Sequence, residues 1–166
     1  MKLKTDRLVI TDFTPDMALA VHLGSLDADT RRFLPDEVFE TEAIAADVIA
    51  DLMECCEGTE GPFVHPMLSN GEYAGYVQLV PIDEGWEIGY HTVAAHTGKG
   101  YATEAVRAFL PVMMDKMNLA QVYGVCDADN KASIRVLEKS GFVRIYEGEG
   151  MYHGRMQPIV KMIYRK

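Results

Sequence analysis

The sequence predicts an α/β fold in which a mixed, mostly antiparallel sheet of about six to seven strands is flanked by about four helices. The middle of the chain is a series of short apolar segments separated by turns, and the C-terminal half alternates helical and strand patterns. The 166 residues fit one domain, and the 48% that are hydrophobic can build one substantial core. We therefore expect a single domain over residues 1–166.

The N-terminal third predicts one strand followed by two helices. Leu8–Ile10 is a short apolar run that is typical of a strand. Thr14-Pro15-Asp16 predicts a helix start with proline at the first helical position. Thr41 can cap a second helix over about residues 42–56, whose apolar side chains recur every fourth residue.

The middle of the chain predicts three consecutive antiparallel strands. They cover about residues 63–68, 73–81 and 86–93. The first two strands are separated by Ser69-Asn70-Gly71, and Asn-Gly between apolar runs favours a tight hairpin.

The C-terminal half predicts a helix, a buried strand, a second helix and a final hairpin. The first helix covers about residues 101–117, and we expect a kink at Pro111 because proline cannot donate to the carbonyl of Arg107. The strand covers residues 120–126, and the second helix covers residues 130–140. Two strands follow, with a turn near His153-Gly154.

Charge, cysteine content and hydropathy narrow the classes of function. The net charge of −9 argues against a nucleic acid partner. It is compatible with a cationic substrate, but an acidic surface that only aids solubility is the more common explanation. Three cysteines, at positions 55, 56 and 126, predict neither a disulfide framework nor a metal site. We find no run long enough for a signal peptide or membrane helix, and we expect a cytoplasmic protein without membrane contact.

A glycine-containing turn lies between the third predicted strand of the middle region and the next helix. Its backbone amides can bind a pyrophosphate, because small residues permit close approach and the helix dipole favours negative charge. A P-loop is excluded because Lys99 is followed by Gly100, and Thr103 breaks the dinucleotide fingerprint. Taken alone, the turn could equally have only a structural role.

A second segment, residues 127–142, makes the pattern specific. The turn G-x-G-Y-A-T-E-A followed by N-x-x-S-x-x-x-L-x-K-x-G-F resembles the GNAT superfamily of N-acetyltransferases. More narrowly it is similar to the ribosomal-protein N-terminal acetyltransferase (RimJ/RimL-like) branch. The opening Thr5-Asp6-Arg7-Leu8 and the strand Glu87-Ile88-Gly89-Tyr90 also resemble that branch, so the resemblance spans residues 5–142.

The resemblance implies a GNAT fold whose strands splay apart at an acyl-CoA site, with acetyl-CoA as co-substrate and no metal. The backbone near Thr92 and Val93 would pair with the pantetheine arm by strand addition. Asn130 would hydrogen-bond the pantetheine or its thioester, although it could also be only a helix N-cap, or do both. The pyrophosphate would be bound by the amides of Gly98, Lys99, Gly100, Tyr101, Ala102 and Thr103.

The implied reaction is direct attack of a neutral amine on the thioester, in a ternary complex without an acyl-enzyme. It needs a base for the amine, a donor for the oxyanion and a proton for the thiolate. Glu87 is the candidate base or water-positioning residue, or an exposed strand glutamate. Ser133 is the candidate donor to the thiolate, or a serine that satisfies only local backbone groups. Leu137 stands where many members of the superfamily have a catalytic tyrosine.

The acceptor stays open at this stage. A protein N-terminus and a small amine both fit, and the stretch from Asp27 to Gly61 is expected to wall the acceptor side. Thr97 departs from the Gln, Arg or aromatic residue that begins the turn in relatives, and a non-catalytic acyl-CoA sensor is the alternative function. We expect a monomer or a homodimer. The spare candidates for acid–base chemistry are His65, His91, His96 and His153.

Overall fold

The computed structural model describes the backbone of residues 1–166 and every side chain except that of Glu57. The strands are β1 (Leu3–Lys4), β2 (Val9–Ile10), β3 (Phe63–Ser69), β4 (Glu72–Ile82), β5 (Gly85–Thr92), β6 (Gln121–Asp127), β7 (Val143–Tyr152) and β8 (Arg155–Arg165). The α-helices are α1 (Ala18–Gly24), α2 (Ala28–Phe33), α3 (Glu42–Glu57), α4 (Tyr101–Lys116) and α5 (Lys131–Lys139).

All eight strands form one sheet in the order β1-β2-β3-β4-β5-β6-β8-β7. Neighbouring strands are antiparallel throughout, except that β5 and β6 are parallel. The predicted mixed, mostly antiparallel sheet is therefore confirmed. The sheet has eight strands where six to seven were predicted, and there are five α-helices where about four were predicted.

The two missed elements are too short to carry a sequence period. β1 has two residues, so it shows no alternation. α2 has six residues and no apolar stripe, and it forms because the Asp27 carboxylate accepts from the backbone amides of Asp29 and Thr30.

The hairpins form where turn chemistry predicted them. Asn70 and Gly71 join β3 to β4 with φ angles of 53° and 83°, the left-handed values that a tight Asn-Gly turn requires. His153 and Gly154 join β7 to β8 in the same way, with φ angles of 49° and 71°. Pro111 lies inside α4, and the kink stays a prediction.

The core lies on both faces of the sheet. On one face α4 buries Ala105, Phe109 and Met113 completely against the strands, together with residues of α5. On the other face a smaller cluster forms beneath α1 and α3. Adjacent residues of β4 face opposite clusters, since Tyr76 packs with α1 and α3 while Val77 packs with α4.

Candidate active site

The two parallel strands in the middle of the sheet separate soon after they meet. β5 and β6 are paired only at Glu87 and Tyr123, whereas β6 continues to pair with β8 as far as Asp127. A cavity of about 940 Å³ occupies the opening, and residues from both strands line it. A cavity of this volume is large enough for an extended cofactor and a small second substrate.

The free edge of β5 offers hydrogen-bonding groups to this opening. Val93 N–H donates to the Ala74 carbonyl at 3.0 Å, so Val93 is hydrogen-bonded to β4. In an antiparallel pair of strands, every second residue is hydrogen-bonded to the neighbouring strand, and the residues between point their backbone groups the other way. The backbone groups of Thr92 and Tyr90 therefore point away from β4 and toward the cleft. Val93 differs from expectation, because its N–H is taken by Ala74 and its carbonyl accepts from His96 at 2.8 Å.

The glycine turn before α4 presents a row of free amides. The amides of residues 98–103 make no hydrogen bond with any described residue, and Glu104 N–H is the first to bond within the helix, to Gly100 O at 3.1 Å. Gly98 and Gly100 have φ angles of 74° and 79°, which favour glycine. All of these residues except Lys99 line the cavity. The turn therefore has the geometry of a nest and can bind an anion at the positive end of α4.

The N-terminal segment holds this turn in place from outside the cavity. Thr5 Oγ1 donates to Glu104 Oε1 at 2.5 Å, and Arg7 Nε donates to Glu104 Oε2 at 2.7 Å. Arg7 Nη1 also donates to the Lys99 carbonyl at 2.7 Å. Burial by itself would raise the pKa of Glu104, but these hydrogen bonds lower it overall. Glu104 is therefore a structural carboxylate.

The cationic side chains that line the cavity come from α5 and not from the glycine turn. Lys99 Nζ lies 3.3 Å from His96 Nδ1, and its side chain is not part of the cavity lining. The lysine and arginine side chains that line the cavity, among the described residues, are Lys131, Arg135 and Lys139 of α5. Their spacing of four residues along one helix is the signal that identifies them, since i and i+4 share a face.

Asn130 and Ser133 meet at the N-terminus of α5, inside the cleft. Asn130 Oδ1 accepts from the Ser133 amide at 3.1 Å, so Asn130 caps the helix. Ser133 Oγ lies 2.8 Å from Tyr90 Oη, which donates to the Ser133 carbonyl at 2.9 Å. Because the phenol has one proton, the hydroxyl of Ser133 donates to Tyr90 Oη. Sequence analysis assigned no role to Tyr90.

Glu87 lies at the point where β5 and β6 separate. It is half-buried and lines the cavity. Burial raises the pKa of Glu87 from 4.5 to about 7, against smaller lowering effects of the Val125 backbone and Lys161. A carboxylate with this pKa exchanges a proton readily near neutral pH.

His91 is the most buried of the spare histidines that line the cavity. Thr30 Oγ1 donates its single proton to Asp27 Oδ2 at 2.6 Å. His91 Nε2 lies 2.8 Å from the same oxygen and is therefore the donor of that hydrogen bond. Burial lowers the pKa of His91 to about 4, so the ring is neutral at pH 7. His65 binds the Thr11 carbonyl and does not line the cavity.

The segment predicted to wall the acceptor side contributes only its first part. Residues 27–37, from α2 and the turn after it, line the cavity. The rest of the stretch, residues 38–61, is absent from the described lining. Within the described side chains, no group of three or more His, Cys, Asp or Glu residues is arranged to hold a metal ion. No helix in the described part of the chain is both long and apolar enough to cross a membrane.

Two features define the class of protein as an acetyltransferase. The mixed sheet opens at one pair of strands, and the free amides at a helix N-terminus face that opening. Residues 7–143 match the family model described as acetyltransferase (GNAT) domain, and the chain belongs to this family.

Individual relatives agree with this assignment. YnaD of Bacillus subtilis (strain 168), an uncharacterized N-acetyltransferase, is 28% identical over 148 residues, which cover 87% of this chain and 84% of YnaD. A GNAT-family acetyltransferase from Bacillus anthracis has a similar structure, with a TM-score of 0.85, 24% identity and coverage of 99% and 98% of the two chains.

RimL, a ribosomal L7/L12 alpha-N-protein acetyltransferase solved with coenzyme A, also has a TM-score of 0.85, at 16% identity and with coverage of 99% and 98%. Similarities to solved structures at these identities show the fold alone. The match to the family model confirms the GNAT part of the resemblance. The narrower RimJ/RimL-like branch stays a hypothesis, because the sequence relatives are described only in general terms.

Proposed function

We propose that this enzyme transfers an acetyl group from acetyl-CoA to a primary amine by direct attack in a ternary complex. The observation that carries the proposal is the row of free amides at residues 98–103, which opens into the same cavity as the unpaired edge of β5. One ligand that needs both features is coenzyme A, because it has a pyrophosphate and an extended amide-containing arm.

In this proposal the pyrophosphate binds the nest formed by Gly98, Lys99, Gly100, Tyr101, Ala102 and Thr103. The pantetheine arm pairs with the β5 backbone at Thr92 and Tyr90, which takes over the role expected of Val93. The cationic face of α5 lies along the same cavity and complements the phosphate charge. RimL, whose fold is similar, was solved with coenzyme A, which supports coenzyme A as the ligand.

The thioester then lies near the N-terminus of α5, where Asn130 and Ser133 meet. Ser133 donates its hydroxyl proton to the departing thiolate, instead of to the phenol oxygen of Tyr90. Burial raises the pKa of Tyr90, so the phenol stays protonated and positions the serine without acting as a base. Tyr90 is a positioning residue in this scheme.

Glu87 accepts the proton of the attacking amine, directly or through a water molecule. Its pKa of about 7 lets it be ionised in the resting enzyme and protonated after attack. The amine loses one proton to Glu87, and the thiolate gains one from Ser133. Before the next cycle Glu87 releases its proton to water, and Ser133 takes up a proton from water. No cysteine nucleophile is required.

A panel of primary amines and short peptides tests the proposal. We expect release of free thiol from acetyl-CoA together with an acetylated acceptor in at least one reaction. Saturable binding of acetyl-CoA without thiol release from any acceptor would instead support the non-catalytic acyl-CoA sensor.

A further inference from the structure

Three polar groups on the acceptor side of the cavity have no role in the steps described above. They are the carboxylate of Glu37, the phenol oxygen of Tyr76 and the imidazole of His153, and all three residues line the cavity. Glu37 belongs to the turn that follows α2, Tyr76 to β4 and His153 to the β7–β8 turn. Positions far apart in sequence thus meet at one wall.

Tyr76 is the most informative of the three. Its residue is only 6% exposed, and its Oη has no hydrogen-bond partner among the described residues. The Glu37 carboxylate faces this phenol and, after burial, raises the pKa of Tyr76 further. A buried hydroxyl without a partner in a ligand cavity indicates a polar group of a ligand.

His153 also has a free polar atom. Its Nδ1 lies 2.8 Å from Asp36 Oδ2, and its Nε2 is buried with no partner in the described part of the chain. In the neutral ring, donation from Nδ1 to Asp36 leaves Nε2 as an acceptor. Glu37, Tyr76 and His153 therefore offer three acceptors, which match the three N–H donors of an alkylammonium group.

The charges of the cavity favour a cation at this wall. The described lysine and arginine side chains of the lining all belong to α5, at the cofactor side. Asp36 and Glu37 line the acceptor side, and burial raises the pKa of Glu37, so a cation would stabilise its ionised form. A desolvated carboxylate binds an ammonium group more strongly than an exposed one does.

The strand register places this wall close to Glu87. Gln78, which contacts Glu37, is paired with Gly89, and Gly89 lies two residues from Glu87 on the same face of β5. Gly89 leaves room for this side chain, because a Cβ there would lie 2.6 Å from Gln78 Nε2. Gln78 and Glu87 therefore lie on the same face of neighbouring strands, which places this wall and Glu87 on one side of the cavity.

We propose that Glu37, Tyr76 and His153 form a cation site, and that the acceptor is a small amine with another protonated nitrogen that binds there. An α,ω-diamine is the simplest acceptor of this kind. The inference rests on the proposed acetyl transfer and narrows its acceptor to one chemical class.

Two acceptors that differ by one ammonium group test the inference. We expect kcat/KM for 1,4-diaminobutane to exceed that for 1-aminobutane by on the order of 10- to 150-fold, the range of one hydrogen-bonded charge. In Glu37→Gln this ratio falls to nearly one. Glu40→Gln is the matched control, because Glu40 is exposed, pairs with Arg31 and lies outside the cavity lining; its ratio equals that of the wild type.

Tyr76→Phe provides a second variant that removes only the unpartnered hydroxyl, and we expect it to reduce the ratio about 3- to 10-fold. Equal use of the two amines by the wild type, or acetylation of peptide N-termini but of neither amine, overturns the inference and leaves acetyl transfer intact.

Calorimetric binding of 1,4-diaminobutane to the protein saturated with coenzyme A separates the two proposals. Binding to the wild type and not to Glu37→Gln, without turnover of any amine, supports the cation site and contradicts acetyl transfer. Equal binding to both proteins, or to neither, contradicts the cation site.

Discussion

The hydroxyl of Ser133 lies 2.8 Å from the phenol oxygen of Tyr90, and the phenol donates to the Ser133 carbonyl at 2.9 Å. This pair connects the first turn of α5 to β5 across the opening between β5 and β6. Leu137, which occupies the position of the superfamily's usual tyrosine, is 1% exposed and packs in the core. A tyrosine is thus present at the cleft, but it comes from a strand.

Ser133→Ala removes the proposed proton donor. We expect kcat to fall on the order of 100-fold while KM for acetyl-CoA changes little, because the donor acts on the thiolate that forms during reaction. Tyr90→Phe keeps the serine and loses its partner, so we expect a decrease in kcat of only about 3- to 10-fold. Steady-state kinetics with acetyl-CoA as varied substrate measure both. A Ser133→Ala enzyme with the kcat of the wild type would show that the thiolate leaves without this donor.

Glu87 is expected to control the acidic limb of the pH profile. Its pKa of about 7 in the folded protein means that kcat/KM rises with pH to a plateau above neutrality, as the carboxylate ionises. Glu87→Gln loses this limb and lowers the rate about 100-fold or more. Glu72→Gln, at an exposed position of β4, is the control and keeps the wild-type profile. Persistence of the limb in Glu87→Gln would assign the base to another group.

The same carboxyl group makes stability depend on pH. Its folded pKa of about 7 lies above the ordinary 4.5, so the native state binds more protons than the unfolded state in this window. The free energy of unfolding therefore falls as pH rises from about 4.5 to 7. We expect Glu87→Gln to be more stable than the wild type at pH 8 by about 1–3 kcal/mol, and equally stable near pH 4. Urea titrations at both pH values measure this; a Glu87→Gln protein that is less stable at pH 8 contradicts the raised pKa.

The anion nest can be tested with two glycines in similar conformations. Gly98 and Gly71 have φ angles of 74° and 83°, and a Cβ added to either meets no atom within 4 Å. Alanine at either position costs about 1–2 kcal/mol of stability through left-handed strain. Only Gly98→Ala places a methyl group where the pyrophosphate would lie, so we expect its KM for acetyl-CoA to rise about 5- to 10-fold, from loss of roughly one hydrogen bond. The same KM in both variants would place the pyrophosphate elsewhere.

Glu104 tests the support behind the nest. Glu104→Gln weakens the contacts with Thr5 and Arg7, and because Arg7 is 49% exposed at its side chain we expect a loss of only about 1 kcal/mol in stability. KM for acetyl-CoA should rise more than kcat falls, since the turn loses its orientation and the reacting groups keep theirs. A fall in kcat without a change in KM would instead indicate that Glu104 acts in the chemistry.

The sequence predicted those features that depend on local chemistry. Asn70-Gly71 predicts a tight turn because both residues tolerate the positive φ angles that the turn requires. The glycine spacing in residues 98–103 predicts a nest for the same reason. Both features depend only on residues that are neighbours in the sequence. Asn130 and Ser133 are likewise three residues apart on one helix turn. These parts of the fold and of the candidate cofactor site depend on no distant contacts.

The acceptor side could not be predicted, because its residues meet only through the tertiary fold. Glu37 and Tyr76 belong to an irregular turn and a strand interior, and nothing in either local pattern points to the other. Val93 illustrates a different limit. The backbone N–H and C=O groups of successive strand residues point alternately toward the paired strand and away from it. Which residues point toward the cleft therefore depends on the register with β4, which the sequence does not give.

Analysis of the quenched reaction by mass spectrometry tests acetyl transfer in a ternary complex most directly. The purified protein is mixed with acetyl-CoA alone, or with acetyl-CoA and a primary amine, and thiol, acetylated amine and protein mass are all measured. We predict that thiol and acetylated amine form in equal amounts only when both substrates are present, while the protein stays unmodified. Acetyl-CoA that is bound and recovered intact with every amine would contradict the account.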